Sequence, residues 1–131
     1  MGVIVITGGS RGIGASTAHH LARRGMGVIL TYKRSSAAAR QVVADIEHFG
    51  GRAVALELDV ADVGSFIGFR EAVIEALQGN WGVSGLAGLV KNAGHGLFNP
   101  LESVSEHQFD ALLSVHLKGP FFLTQALLPL L

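Results

Sequence analysis

The chain alternates short, almost wholly apolar runs with longer stretches in which apolar residues recur every three or four positions. The first run, Val3 to Thr7, reads VIVIT and stays apolar until its last residue. Such a run suits a strand covered on both faces, as in a parallel sheet, because a strand with one wet face would alternate apolar and polar residues. A glycine-rich turn follows, then a helical stretch from Ile13 to Arg24, with Gly25 where a helix commonly closes. Val28 to Tyr32 (VILTY) reads as a second strand. Ser35 or Ser36 can cap the next helix, which carries an apolar stripe of Val42, Val43, Ile46 and Phe49 and stops at Gly50-Gly51. Ala53 to Leu58 is a third strand. Asp62 can cap a helix to Leu77, with Phe66, Phe69, Val73, Ile74 and Leu77 inward. Leu86 to Val90 is a fourth strand, and Ser105 with Gln108 forms a capping box for a last helix that runs to Leu131.

The order β-α-β-α-β-α-β-α predicts the α/β class: a doubly wound parallel sheet with helices on both faces, ending here with the fourth strand and its following helix. No repeat or linker interrupts the pattern, so residues 1–131 read as one incomplete domain. The alternation alone fits a flavodoxin-like or a Rossmann-like winding. The last helix carries Phe121, Phe122, Leu123, Leu127, Leu128, Leu130 and Leu131, more apolar surface than one face buries, and the fourth strand would lie at the sheet edge. Both features predict a contact with further chain or with a second copy, and a homo-oligomer formed through the last helix is expected.

Composition excludes several function classes. With 49% hydrophobic and only 15% charged residues, the chain is not a disordered tail. Ten basic and ten acidic side chains cancel, which leaves no electrostatic footprint for nucleic acid or an anionic membrane surface. The absence of cysteine removes disulfides and thiolate catalysis and fits a reducing compartment, so a cytoplasmic location is expected. The start, MGVIVITGGS, lacks the basic leader of an export signal, and the apolar stretch after Lys118 is shorter than a bilayer span. No two histidines have a spacing that suggests a metal site, so none is expected.

The turn after the first strand decides the winding. Thr7-Gly8-Gly9-Ser10-Arg11-Gly12-Ile13-Gly14 is G-x-x-x-G-x-G, sited between a strand and a helix. Gly8 permits a sharp exit from the strand, Gly12 lets the backbone approach a pyrophosphate, and Gly14 lets the helix pack closely. Free amides and the helix dipole then favour an anion there. Gly8, Ser10, Arg11, Gly12, Ile13 and Gly14 are therefore candidate phosphate-site residues, and the winding is Rossmann-like.

Thr-Gly-x-x-x-Gly-Ile-Gly also resembles the cofactor motif of the short-chain dehydrogenases/reductases, and three further segments are similar in the same order. These are Leu58-Asp59-Val60, Asn92-Ala93-Gly94, and Val115-His116-Leu117-Lys118-Gly119-Pro120-Phe121. The resemblance spans all 131 residues but only the front half of a typical member. It implies that Asp59 bonds the adenine amino group with the Val60 backbone beside it. It also implies that Asn92, Ala93 and Gly94 line the cofactor ribose.

Charge favours NADP(H) over NAD(H). The second strand ends Thr31-Tyr32-Lys33-Arg34, without the acidic residue that would take a ribose 2′-hydroxyl. Lys33, Arg34 and Arg11 suit a 2′-phosphate, which arginine grips with two parallel hydrogen bonds. In the family a basic residue at the Arg11 position points the same way.

The resemblance implies hydride transfer between the nicotinamide and a small-molecule carbonyl or alcohol. The family's acid–base residues are a Ser, a Tyr-x-x-x-Lys and a relay Asn. The sequence has one tyrosine, Tyr32, with Ser36 four residues on, so Tyr-x-x-x-Lys is absent from these residues. Lys91 stands where Asn-Asn-Ala-Gly has its first Asn, and His116 where the relay Asn is usual. His116 is thus the one candidate catalytic residue. Pro120 has no N–H for the carbonyl of His116, so the helix should bend there. Two functions stay open: an NADP(H)-dependent reductase whose catalytic Ser and Tyr-x-x-x-Lys lie outside this sequence, or a dinucleotide-binding module that acts by binding or assembly.

Overall fold

Alternate residues of the central strand enter opposite layers of the structure. In the computed structural model, which describes residues 2–131, β1 (Val3–Ile6) sends Val3 and Val5 into one buried cluster and Ile6 into another. The neighbouring β2 (Gly27–Tyr32) likewise divides Ile29 from Val28 and Leu30. Helices α1 (Gly12–Arg23) and α2 (Ser36–His48) cover one face of the sheet, supplying Ala18, Ala22, Ala39, Val42 and Ile46. On the other face, α3 (Phe66–Trp81) and α5 (Gly119–Leu127) supply Phe66, Phe69, Val73, Leu77, Leu123 and Leu127. With β3 (Ala53–Glu57) and β4 (Gly88–Val90) the strand order is β3-β2-β1-β4, all parallel. This is the doubly wound, Rossmann-like arrangement expected, and β4 lies at the edge, paired only with β1.

Most predicted boundaries shift by a residue or two, as helix ends commonly do. The α1 terminus is a Schellman motif: Gly25 has φ +85°, and Met26 N–H donates to the Leu21 carbonyl at 3.1 Å. Strand β4 begins later than Leu86, whose N–H is turned aside to the Leu130 carbonyl at 2.7 Å. Three local expectations are corrected. Ser35 occupies the N-cap of α2 but its side chain makes no capping bond. Asp62 precedes a 3₁₀ turn (Val63–Ser65) and does not cap through its side chain either, and α3 runs on to Trp81. Phe49 is 39% exposed, beneath the Arg23 guanidinium at 5.2 Å from the ring centre, and belongs to neither core.

The capping box is present in both directions: Gln108 N–H donates to Ser105 Oγ at 3.1 Å, and Ser105 N–H to Gln108 Oε1 at 3.0 Å. It opens α4 (Glu106–Leu113), which continues through a π turn (Ser114–Lys118) into α5. The bend expected from Pro120 takes the form of this wider turn, in which Gly119 N–H reaches back to the Ser114 carbonyl. The whole helix, Glu106–Leu130, is 25 residues, longer than the stretch counted from Lys118. Its length and composition alone would permit a membrane crossing, but Leu123 and Leu127 lie fully inside the core. Its outer side carries Phe109, Leu113, Leu117 and Phe121 at four-residue spacing, all exposed.

Gly68, inside α3, has nothing within 4 Å of the place a Cβ would take. Gly68→Ala should therefore stabilise the fold by about 0.5–1 kcal/mol, read as a higher urea midpoint. An unchanged or lower midpoint would contradict this account of α3.

Candidate functional site

The carboxyl ends of all four strands open into one cleft of ≈ 490 Å³. The turn after β1 contributes Gly8, Ser10 and Arg11, the end of β2 contributes Thr31 to Ser35, and the turn after β3 contributes Leu58, Asp59 and Val60. Asn92 to His95, after β4, and Val115 complete it. Crevices at this end of an open α/β sheet are where such folds bind ligands.

Two threonines hold the cleft together, and they are the two buried polar side chains among the described residues. Thr7 Oγ1 accepts the N–H groups of both Asn92 and Ala93 at 3.0 Å. Asn92 answers with its side-chain amide, donating to the carbonyls of Thr7 (3.1 Å) and Gly8 (3.0 Å). Thr31 does the same work between β1 and β2: its Oγ1 accepts Gly8 N–H at 3.2 Å, and its carbonyl accepts Gly9 N–H at 2.9 Å. Sequence reasoning named neither threonine as functional. The available signal was a hydroxyl residue at the buried end of each of two apolar strands, VIVIT and VILTY.

These bonds correct the reading of the glycine-rich turn. The amides of Gly8 and Gly9 already have partners inside the chain. The open donors lie further on. Helix α1 makes its first internal bond from Ala15 N–H to the Arg11 carbonyl, so the amides of Gly12, Ile13 and Gly14 have no intrahelical acceptor. Arg11, the N-cap, offers no side-chain cap, and no acidic residue stands in the first turn. At Gly12, φ is +57° and a Cβ would meet open space, so the glycine is required by backbone conformation and leaves room for a ligand. Gly14 permits the close packing expected of it, against the carboxyl ends of β1 and β4: a Cβ there would strike the Gly8 carbonyl and lie 2.6 Å from Asn92 Nδ2. Gly12, Ile13 and Gly14 head α1 beside the cleft and are not among the residues that line it.

Arg11, Lys33 and Arg34 all line the cleft and are exposed. Lys33 is not free, however: its Nζ lies 3.6 Å from Asp59 Oδ2. The other Asp59 oxygen accepts Ala61 N–H at 2.9 Å, closing the turn after β3. Asp59 therefore has a structural bond and a cationic partner within the chain. Both members of the pair are substantially exposed, so the pair contributes less than about 1 kcal/mol.

Gly94 lines the cleft beside Asn92 and Ala93, whereas His116 lies outside the lining and is exposed. The His116 ring sits against the segment after β4, with Nε2 2.6 Å from the His95 carbonyl and 3.3 Å from His95 N. Lys91 is exposed. Gly119, present in the sequence reading only as part of a motif, seats the last helix: a Cβ there would collide with the carbonyl oxygen of Val60. The cleft wall at Asp59-Val60 and the start of α5 are thus in backbone contact. Among the described residues no group of three metal-ligating side chains occurs.

Residues 2–131 match the family model described as short chain dehydrogenase. The short chain dehydrogenase/reductase AacuN of Aspergillus aculeatus is 37% identical over 123 residues, covering 94% of this chain and 44% of AacuN. Among solved structures, the angucycline C-6 ketoreductase LanV with bound NADP superposes with a TM-score of 0.94 at 32% identity, covering 98% of this chain and 50% of LanV. A short chain dehydrogenase from Burkholderia cenocepacia in complex with NADP gives 0.87 at 38% identity, with 98% and 50% covered. The chain spans less than half the length of the curated relatives it matches.

Proposed function

The chain belongs to the short chain dehydrogenase family, and from that premise we propose that it supplies the NADP(H)-binding part of an oxidoreductase acting on a small-molecule carbonyl or alcohol. One observation carries the reading: the uncapped, acid-free head of α1 opens beside a cleft that also receives Arg11, Lys33 and Arg34. The amides of Gly12, Ile13 and Gly14, with open space at Gly12, suit a pyrophosphate. Arg11 and Arg34 suit a 2′-phosphate, and the end of β2 carries no carboxylate to repel it. Lys33 can join them only by giving up or sharing Asp59. Asn92, Ala93 and Gly94 form the wall along which a ribose would lie, and Asp59-Val60 the wall for the adenine. When bound, NADP(H) gives or takes the hydride at its nicotinamide ring. The two NADP-bound relatives support the choice of nucleotide.

The chain's single tyrosine, Tyr32, lies at the cleft and is followed four residues later by Ser36 and not by a lysine, so Tyr32 is not assigned as proton donor for the carbonyl. His116 bonds the His95 backbone through Nε2 and lies outside the cleft lining, so no proton-relay role is assigned to it. The exposed ladder Phe109, Leu113, Leu117 and Phe121 is where a second copy would associate. The departures at Lys91 and His116 favour a second reading, a module that binds the dinucleotide without turnover. NADPH binding in the absence of NADPH oxidation by the whole protein would select it.

The test is thermal unfolding with NADPH and with NADH. NADPH at one hundred times its Kd should stabilise the fold by about 2.7 kcal/mol, and NADH at the same concentration by clearly less. Arg34→Glu should reduce the preference for NADPH by roughly 10- to 100-fold, since it removes a charge-assisted contact. No shift with either nucleotide would overturn the function. An unaltered preference in the variant would overturn only the assignment of Arg34.

A further inference from the structure

A second cavity, of ≈ 770 Å³, opens at the amino end of the sheet, where the ends of three helices meet. The last turn of α1 contributes Arg23, the turn after α2 contributes Phe49 and Arg52, and Trp81 closes α3. Its floor includes Gly27, the first residue of β2, whereas Tyr32 at the other end of that strand lines the cleft. The two hollows share no lining residue. Glycine keeps the second one open. Gly50 has φ +92°, which most side chains disfavour, and a Cβ there would meet empty space. At Gly27 a Cβ would come 2.5 Å from Trp81 Nε1, so the missing side chain lets the indole lie over the start of β2.

The lining holds two aromatic rings, two guanidinium groups and no carboxylate. Arg23 lies over the Phe49 ring at 5.2 Å from its centre, and Arg52 donates one N–H to the Asn80 carbonyl. Neither arginine pairs with an acidic side chain among the described residues. Helix carboxyl ends attract cations, but these ends leave the two arginines little to neutralise. Their carbonyls are taken by the amides of the following turns: Gly25 and Met26 donate to Ala22 and Leu21, Gly50 and Gly51 to Glu47 and Ile46, and Gly82 and Val83 to Gln78 and Leu77. Each guanidinium has five N–H groups, so the single bond from Arg52 leaves most of its fork open.

We propose that this cavity is a second binding site, and that it takes a planar aromatic carboxylate. Phe49, which neither core takes in, and Trp81 offer ring surface to the planar body. The arginine forks match the two oxygens of the carboxylate. A neutral aromatic would leave the positive charge unanswered, and an aliphatic acid would leave the rings uncovered.

The probe is 2-naphthoate, with 2-naphthamide as its uncharged counterpart and acetate as the anion without a ring. Binding to the whole protein is followed through the indole N–H resonance of Trp81, identified by its loss in Trp81→Phe. The 2-naphthoate should shift this resonance saturably, and both controls should bind at least about tenfold more weakly. Arg23→Gln, at an exposed position, should leave the fold intact and weaken 2-naphthoate by about tenfold. Saturating NADPH should change the 2-naphthoate affinity by less than about twofold, as expected for separate sites. The inference fails if the Trp81 resonance does not respond, or if either control binds as well as 2-naphthoate. It fails too if Arg23→Gln binds like the original, or if NADPH displaces the probe. The Trp81 response and the arginine variant are measured without nucleotide, so they decide this inference even if the cleft binds no NADPH.

Discussion

Thr7→Val should destabilise the protein by about 2–4 kcal/mol. Valine has nearly the shape of threonine, so the packing of this residue, 2% exposed, changes little. The loss is chemical. The hydroxyl accepts two backbone amides, from Asn92 and Ala93, and each becomes an unpaired, partly buried donor. Each such group costs about 1–3 kcal/mol, and the lower part of the range applies because both residues are half-buried. Thr7→Ser keeps the oxygen and should lose less than about half as much. Urea unfolding of the two variants measures the difference. A valine variant within about 1 kcal/mol of the original would mean that water replaces the hydroxyl and that the β1–β4 junction is looser than described.

Gly119→Ala should cost about 2–3 kcal/mol, although alanine is the better helix former by about 1 kcal/mol. The new Cβ would meet the Val60 carbonyl and come within 2.6 Å of the Ser114 carbonyl, both of them backbone atoms that no side-chain rotation can clear. The start of α5 would have to lift from the turn after β3. Because Asp59 and Val60 line the cleft, the same substitution should also weaken NADPH binding, by roughly tenfold. Gly68→Ala is the matched comparison: the same change inside a helix, with open space in front of it and the opposite sign expected. If both variants shift the midpoint alike, the α5 seat is not tight.

The parts of the fold legible in the sequence are those set by neighbours along the chain. The strands announced themselves as unbroken apolar runs, and the Ser105–Gln108 box formed as expected because both of its bonds span three residues. Gly25 closed α1 for the same reason. Misreadings arose where residues distant in sequence compete. Asp59 gains a partner that no local pattern shows, because the parallel pairing of Tyr32 with Glu57 brings Lys33 alongside it. Phe49 fits the stripe of α2 by spacing, yet it lies past the last helical turn, where Arg23 covers it. The clasp of Thr7 with Asn92 spans 85 residues, and no local pattern encodes it. His116 was visible only as a departure from a motif; its partner His95 follows from the π turn, which Pro120 hinted at without specifying its winding.

The tethering of Gly8 and Gly9 to Thr31 bears on how quickly a nucleotide could settle. A turn held by such bonds loses little further chain freedom when an anion arrives, so little of the interaction is spent on ordering. Association should then run close to the rate of oriented encounter, with a weak dependence on solvent viscosity beyond diffusion itself, and differences in affinity among variants of the turn should surface in dissociation.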